Sequence, residues 1–134
     1  MSAKDRLARV ERLLAVQEQM RRAAEWELAA TRRQAAAIRD SEAELMARLS
    51  QEGPLHGLFL DAAARRLKAL ARDAAAADAL AARQEAAARE HALEQKRSER
   101  RVVHLAAEGR REDERREALE RLDAIVARRA RAPE

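Results

Sequence analysis

The stretch Glu52-Gly53-Pro54-Leu55-His56-Gly57 is the one strong interruption in a chain otherwise built for helix. Gly53 can adopt the left-handed conformation that closes a helix, and Pro54 cannot continue one but suits the start of the next. Toward the N-terminus no Gly or Pro occurs back to Met1; toward the C-terminus the next break is Gly109, and the next Pro is Pro133. The pattern predicts one domain over residues 1–134, an all-α, long antiparallel two-helix coiled-coil hairpin. Helix one would run over about 3–51, the bend over about 52–58 and helix two over about 59–130. At 1.5 Å per residue the helices would be on the order of 75 Å and 105 Å long, and helices of that length need a partner.

The ends carry matching signals. Ser2-Ala3-Lys4-Asp5 places a hydroxyl residue three positions before an acid, the pattern that caps a helix N-terminus. Arg128, Arg129 and Arg131 place positive charge where the negative end of the second helix dipole would lie.

Hydrophobic spacing tells what the helices do together. Helix one carries a 4-3 stripe through Ala3, Leu7, Val10, Leu14, Gln17, Arg21, Ala24, Leu28, Thr31, Ala35, Ile38, Glu42, Leu45 and Leu49, the repeat of a coiled-coil seam. Helix two carries its counterpart in Ala63, Leu67, Leu70, Ala74, Ala77, Ala81, Gln84, Ala88, His91, Gln95, Ser98, Val102, Leu105 and Gly109. Folding at Gly53-Pro54 would set Leu45 opposite Leu67, Ile38 opposite Ala74, Val10 opposite Val102, Leu7 opposite Leu105 and Ala3 opposite Gly109. Because mirrored spacing is common to all antiparallel seams, this register is a hypothesis. Its bend half is dominated by Ala, which costs no side-chain entropy on burial. Arg21 with His91, Gln17 with Gln95 and Leu14 with Ser98 would form polar layers that weaken the seam and specify its register.

In that register helix two outlasts helix one, and residues from Arg110 to about Ala130 form an unpaired overhang. It carries Leu119, Leu122, Ile125 and Val126 at helical spacing. Such a stripe marks either a self-associating end or, the better supported reading, a segment buried in another protein.

Composition narrows the function. The chain holds 35 Ala, 25 Arg and 17 Glu against one Phe, one Trp, no Tyr and no Cys, a profile of long helices and not of a domain with a central core. With five Val, two Ile and one Thr there is little for a sheet, and with two aromatics little for an enclosed ligand pocket. The net charge is only +4. Acid-first pairs at i,i+4 are frequent: Asp5/Arg9, Glu18/Arg22, Glu44/Arg48, Asp61/Arg65, Glu85/Arg89, Glu112/Arg116 and Glu117/Arg121. They describe a solvated helix surface. Most of the paired arginines, such as Arg21-Arg22 and Arg100-Arg101, have acids within a turn, unlike a phosphate-tracking helix, so no nucleic acid partner is expected.

No catalytic constellation is legible. His56, His91 and His104 stand at no metal-ligand spacing, the serines lack a nucleophile-elbow context, and Gly53, Gly57 and Gly109 form no phosphate loop. The expectation is a protein that is not an enzyme, with no cofactor, metal or small-molecule substrate. The start Met-Ser-Ala-Lys-Asp-Arg has no apolar leader and no run of 18 apolar residues occurs, so a cytoplasmic protein is expected. Leu55, Leu58, Phe59 and Leu60 crowd the bend, either plugging the tip or offering an apolar knob; Trp26 either shields the seam beside Leu28 or is a docking anchor.

A seam beginning Leu7-x-x-Val10-x-x-Leu13-Leu14-x-x-x-Glu18, then Glu25-x-x-Leu28, a single bend, and an ending Arg115-Arg116-Glu117-Ala118-Leu119-Glu120-Arg121-Leu122-Asp123-x-x-x-x-Arg128-Arg129 resembles the FliJ family of flagellar export proteins and their injectisome counterparts. The resemblance implies an antiparallel hairpin similar to the central stalk of rotary ATPases. Its partners would be the flagellar export ATPase and its regulator, the membrane export gate and export chaperones, and its place the cytoplasmic side of the inner membrane at the flagellar base. Carried onto this chain, Val10, Leu14 and Val102 with Leu119, Leu122, Asp123 and Val126 would face the ATPase. Leu45, Leu49, Phe59 and Leu67 would be the gate-facing set, although Ala62, Ala63 and Ala64 stand where the family often has aromatics. The alternative expectation is a generic coiled-coil adaptor or dimeric scaffold in another cytoplasmic assembly.

Overall fold

A computed structural model describes residues 1–51 and 56–132, with the His56 side chain outside the description. The bend residues Glu52, Gly53, Pro54 and Leu55 therefore lie outside the described residues. Two helices account for the described chain, α1 over Ala3–Leu49 and α2 over His56–Arg131, and they pack against each other with no strand among the described residues. Helix one thus ends two residues earlier than expected. Ser50 closes its last turn, its amide donating to the Met46 and Ala47 carbonyls and its hydroxyl to the Met46 carbonyl at 3.1 Å. Helix two begins earlier than expected, so Gly57 and Leu58 belong to α2 and not to the bend. Gly57 does not take a positive φ there, and a glycine in a first turn needs few intrahelical partners.

The N-terminal cap forms as its sequence indicates. The Asp5 amide donates to Ser2 Oγ at 3.2 Å, Ser2 Oγ donates to Asp5 Oδ2 at 2.9 Å, and the Ser2 amide reaches the same oxygen at 3.3 Å. Orphan donors at the start of α1 are satisfied reciprocally. These bonds, led by the one from the Ser2 hydroxyl, hold the Asp5 carboxyl below its ordinary range.

Packing gathers in two units, residues 19–92 and residues 1–18 with 93–134. In the first, the α1 and α2 arms run antiparallel around Leu28, Thr31, Ala35, Ala63, Leu70, Ala74, Ala77 and Ala88, all buried. Small side chains dominate this seam. Arg39 bridges to Asp78 at 2.6 Å and Arg32 to Glu85 at 3.6 Å on its flank. The Thr31 hydroxyl donates to the Glu27 carbonyl one turn back, so its burial leaves no orphan donor.

In the second unit Ala3, Val10, Ser98 and Leu105 are buried and Leu7, Leu14 and Val102 half-buried. Lys4 bridges to Asp113 at 3.1 Å and Arg6 to Glu108 at 3.4 Å. The Ala3 amide donates to Glu112 Oε2 at 3.4 Å.

Every position of both 4-3 stripes is buried or half-buried, so their phase was readable. Cross-helix contacts fall on the flanks of the expected layers: Arg6–Glu108 beside Leu7 and Gly109, Arg39–Asp78 beside Ile38 and Ala77, and Arg32–Glu85 beside Thr31 and Gln84. Ile38 lines a groove with both Asp73 and Ala77, and Leu45 with both Arg66 and Leu70, the residues on either side of Ala74 and Leu67. Contact continues past Gly109 through Ala3–Glu112 and Lys4–Asp113, so the overhang is shorter than expected. Glu112 and Asp113 are still half-buried, and unbroken exposure begins at Glu114, not Arg110.

Candidate docking surface on the C-terminal extension

From Glu114 to Arg131 α2 continues with every residue exposed. Good helix formers such as Ala118, Leu119, Glu120 and Arg121 supply the local propensity. The Arg121–Glu117 pair at 3.8 Å and the Arg116–Asp113 pair at 3.5 Å add side-chain support. Basic residues Arg128, Arg129 and Arg131 occupy the last turn, where they offset the helix dipole.

Leu119, Leu122, Ile125 and Val126 are between 48% and 65% exposed. At 100° per residue these four share one face. Burying such a stripe is worth roughly 1.5–3 kcal/mol per side chain, and no described residue covers it.

The remaining candidate residues fall into two groups. Val10 is buried and Leu14 and Val102 are half-buried in the seam of their own unit, so their apolar surface is spent holding α1 to α2. Asp123 is exposed, at the edge of the aliphatic stripe. In the other unit Leu45, Leu49 and Leu67 are half-buried seam residues, while Phe59 stays 38% exposed beside the more exposed Leu58 and Leu60. The bend-proximal end of α2 therefore offers Leu58, Phe59 and Leu60, not the seam leucines. Trp26 is 70% exposed and does not shield the seam.

The expected acid-first pairs are only partly made. Asp61–Arg65, Glu85–Arg89 and Glu117–Arg121 form at 3.5, 2.7 and 3.8 Å. Asp5 is engaged by the Ser2 cap, Glu112 by the Ala3 amide, and Arg116 turns to Asp113. Tertiary and capping partners outcompete exposed ion pairs worth a few tenths of a kcal/mol.

Among the described residues no group of three or more His, Cys, Asp or Glu could hold a metal ion, and no helix is long and apolar enough to cross a membrane. No protein family, curated protein or solved structure matches this chain. The surface chemistry must therefore carry the functional reading. Sequence reasoning found the stripe through its spacing but missed Arg115 and Arg129, which stand on the same face one heptad either side of Leu122. Their signal was that spacing of seven.

Proposed function

We propose that this protein is a non-enzymatic coiled-coil stalk of the bacterial flagellar type III export apparatus, a cytoplasmic component held peripherally at the inner membrane. The observation that carries this reading is the exposed aliphatic stripe on residues 114–131 of α2, beyond an antiparallel helix pair. The extension seats in the ring of the export ATPase, which its regulator accompanies, and the paired helices carry asymmetry toward the export gate. Such work needs a lever and a docking surface, and no reaction centre. Leu58, Phe59 and Leu60, exposed together at the start of α2, suit contact with the gate or with export chaperones.

Truncation after Asp113 tests the reading. The shortened chain is expected to keep its helical circular dichroism per residue and its cooperative unfolding, and to lose binding to the export ATPase in sedimentation or pull-down. Undiminished binding would refute the role given to the extension. A stable dimer of the full chain, with no ATPase binding, would point instead to a scaffold in another assembly.

A further inference from the structure

The apolar stripe of the extension is not a continuation of the intramolecular seam. In seam phase, Val102, Leu105, Gly109 and Glu112 would be followed by Arg116, Leu119, Asp123 and Val126, charged at every second layer. The aliphatic stripe follows another line, Arg115, Leu119, Leu122, Val126 and Arg129, with Ile125 beside it. Two steps of three therefore meet at Glu112, a local phase break of the stammer kind. It falls where the α1 partner ends, at the Ala3–Glu112 and Lys4–Asp113 contacts. The extension thus presents a seam of its own, offset around the helix from the line that α1 covers and sharing Leu119 and Val126 with it.

The two arginines close that stripe at its ends. They lie fourteen residues apart, on the order of 21 Å along the axis, and neither guanidinium has an ion pair or hydrogen bond with any described residue. A second copy is a poor occupant. Paired antiparallel, the 4-3 spacing sets an arginine against an apolar residue in either layering, Arg115 against the partner copy's Val126 when Leu119 faces Leu122, or Arg129 against Leu119 when Leu122 faces Val126, which buries an unpaired charge; paired parallel, each arginine would meet its own counterpart. Like charges across a seam repel. An anionic membrane fits no better, because Glu114 and Asp123 stand at the two edges of the stripe and Glu117 and Glu120 follow along the helix.

We infer that the extension docks by its Leu119–Leu122–Val126 face into an apolar groove of another protein that presents carboxylates near both ends, one for Arg115 and one for Arg129. This rests on the proposed function, since it describes the surface that the ATPase would offer to that same helix. Aliphatic anchors supply the affinity, and the paired charges select the partner and its alignment.

The full-length chain is compared with Leu122→Asp, with the double reversal Arg115→Glu/Arg129→Glu and with the double Arg115→Lys/Arg129→Lys, each first checked for helical content. The probes are the export ATPase, vesicles of phosphatidylglycerol and phosphatidylethanolamine, and the chain itself in sedimentation velocity. Leu122→Asp should abolish ATPase binding, the double reversal should weaken it at least tenfold and flatten its salt dependence, and the lysine variant should retain most of it. ATPase binding that Leu122→Asp abolishes but the double reversal leaves intact would overturn the acidic-groove inference alone. No ATPase binding by the wild-type chain would overturn the proposed function and this inference with it. Vesicle flotation, or a dimer lost in Leu122→Asp, would overturn the inference by identifying a lipid surface or a second copy as the occupant.

Discussion

Two stretches of α2 invert the usual relation between side-chain size and burial. Over residues 63–88 the buried positions are mostly alanines, Ala63, Ala74, Ala77 and Ala88, with Leu70 the large exception. Over residues 114–131 Leu119, Leu122, Ile125 and Val126 are all exposed. Burial here follows the availability of a partner helix and not hydrophobicity. Alanine lets two backbones approach closely, while larger side chains gain only when something fills the space around them. The first stretch is covered by its partner helix, and the second has no described residue over it.

The largest test of this contrast is a pair of truncations. Leu70→Ala removes a buried side chain and should cost about 2–3 kcal/mol in denaturant unfolding, whereas Leu122→Ala should change stability by less than about 0.5 kcal/mol. Equal costs would mean that the extension is buried in solution. Next in size, Ala77→Leu forces bulk into the close approach beside Ile38 and should destabilise by about 1–3 kcal/mol; a neutral result would show that the seam is loosely packed.

Gly109 sharpens the limit of the pairing. It is a buried helical glycine, and an added Cβ would meet only the Lys4 Cγ at 3.8 Å, an ordinary contact. Gly109→Ala should therefore raise stability by about 0.5–1 kcal/mol. A loss would mean that α1 and α2 approach more closely there.

The smallest effect is at the cap. The Asp5 carboxyl titrates below its ordinary range because Ser2 binds the charged form. A depressed folded-state value adds stability that is full above the unfolded value and is lost as pH falls through the folded one. Fraying at Ser2–Arg6, followed by amide exchange or nuclear magnetic resonance, should grow only as pH drops below the usual carboxylate range. Ser2→Ala should abolish that dependence.

Much of this was legible along the chain. Helix count, stripe phase, the Ser2–Asp5 cap and the exposed aliphatic set each follow from local rules acting within a turn or a heptad. Where the pairing stops was not legible, because the Ala3–Glu112 and Lys4–Asp113 contacts join side chains from far apart in the chain. Nor was the use of individual candidates. Val10 and Leu14 have the same apolar chemistry as Leu119 and Leu122, and only the position of the partner helix separates a seam residue from an exposed one.

By itself the sequence determined two helices and the faces they bury, since 3-4 spacing and the absence of Gly and Pro act through backbone geometry alone. Tertiary structure decided which charges meet across the helices, such as Arg39–Asp78 and Lys4–Asp113, and where pairing stops. That end point, at Asp113, is what leaves the most apolar stripe of α2 open to solvent. Burial depends on a neighbour brought from far along the chain, and a periodic pattern does not specify which neighbour arrives.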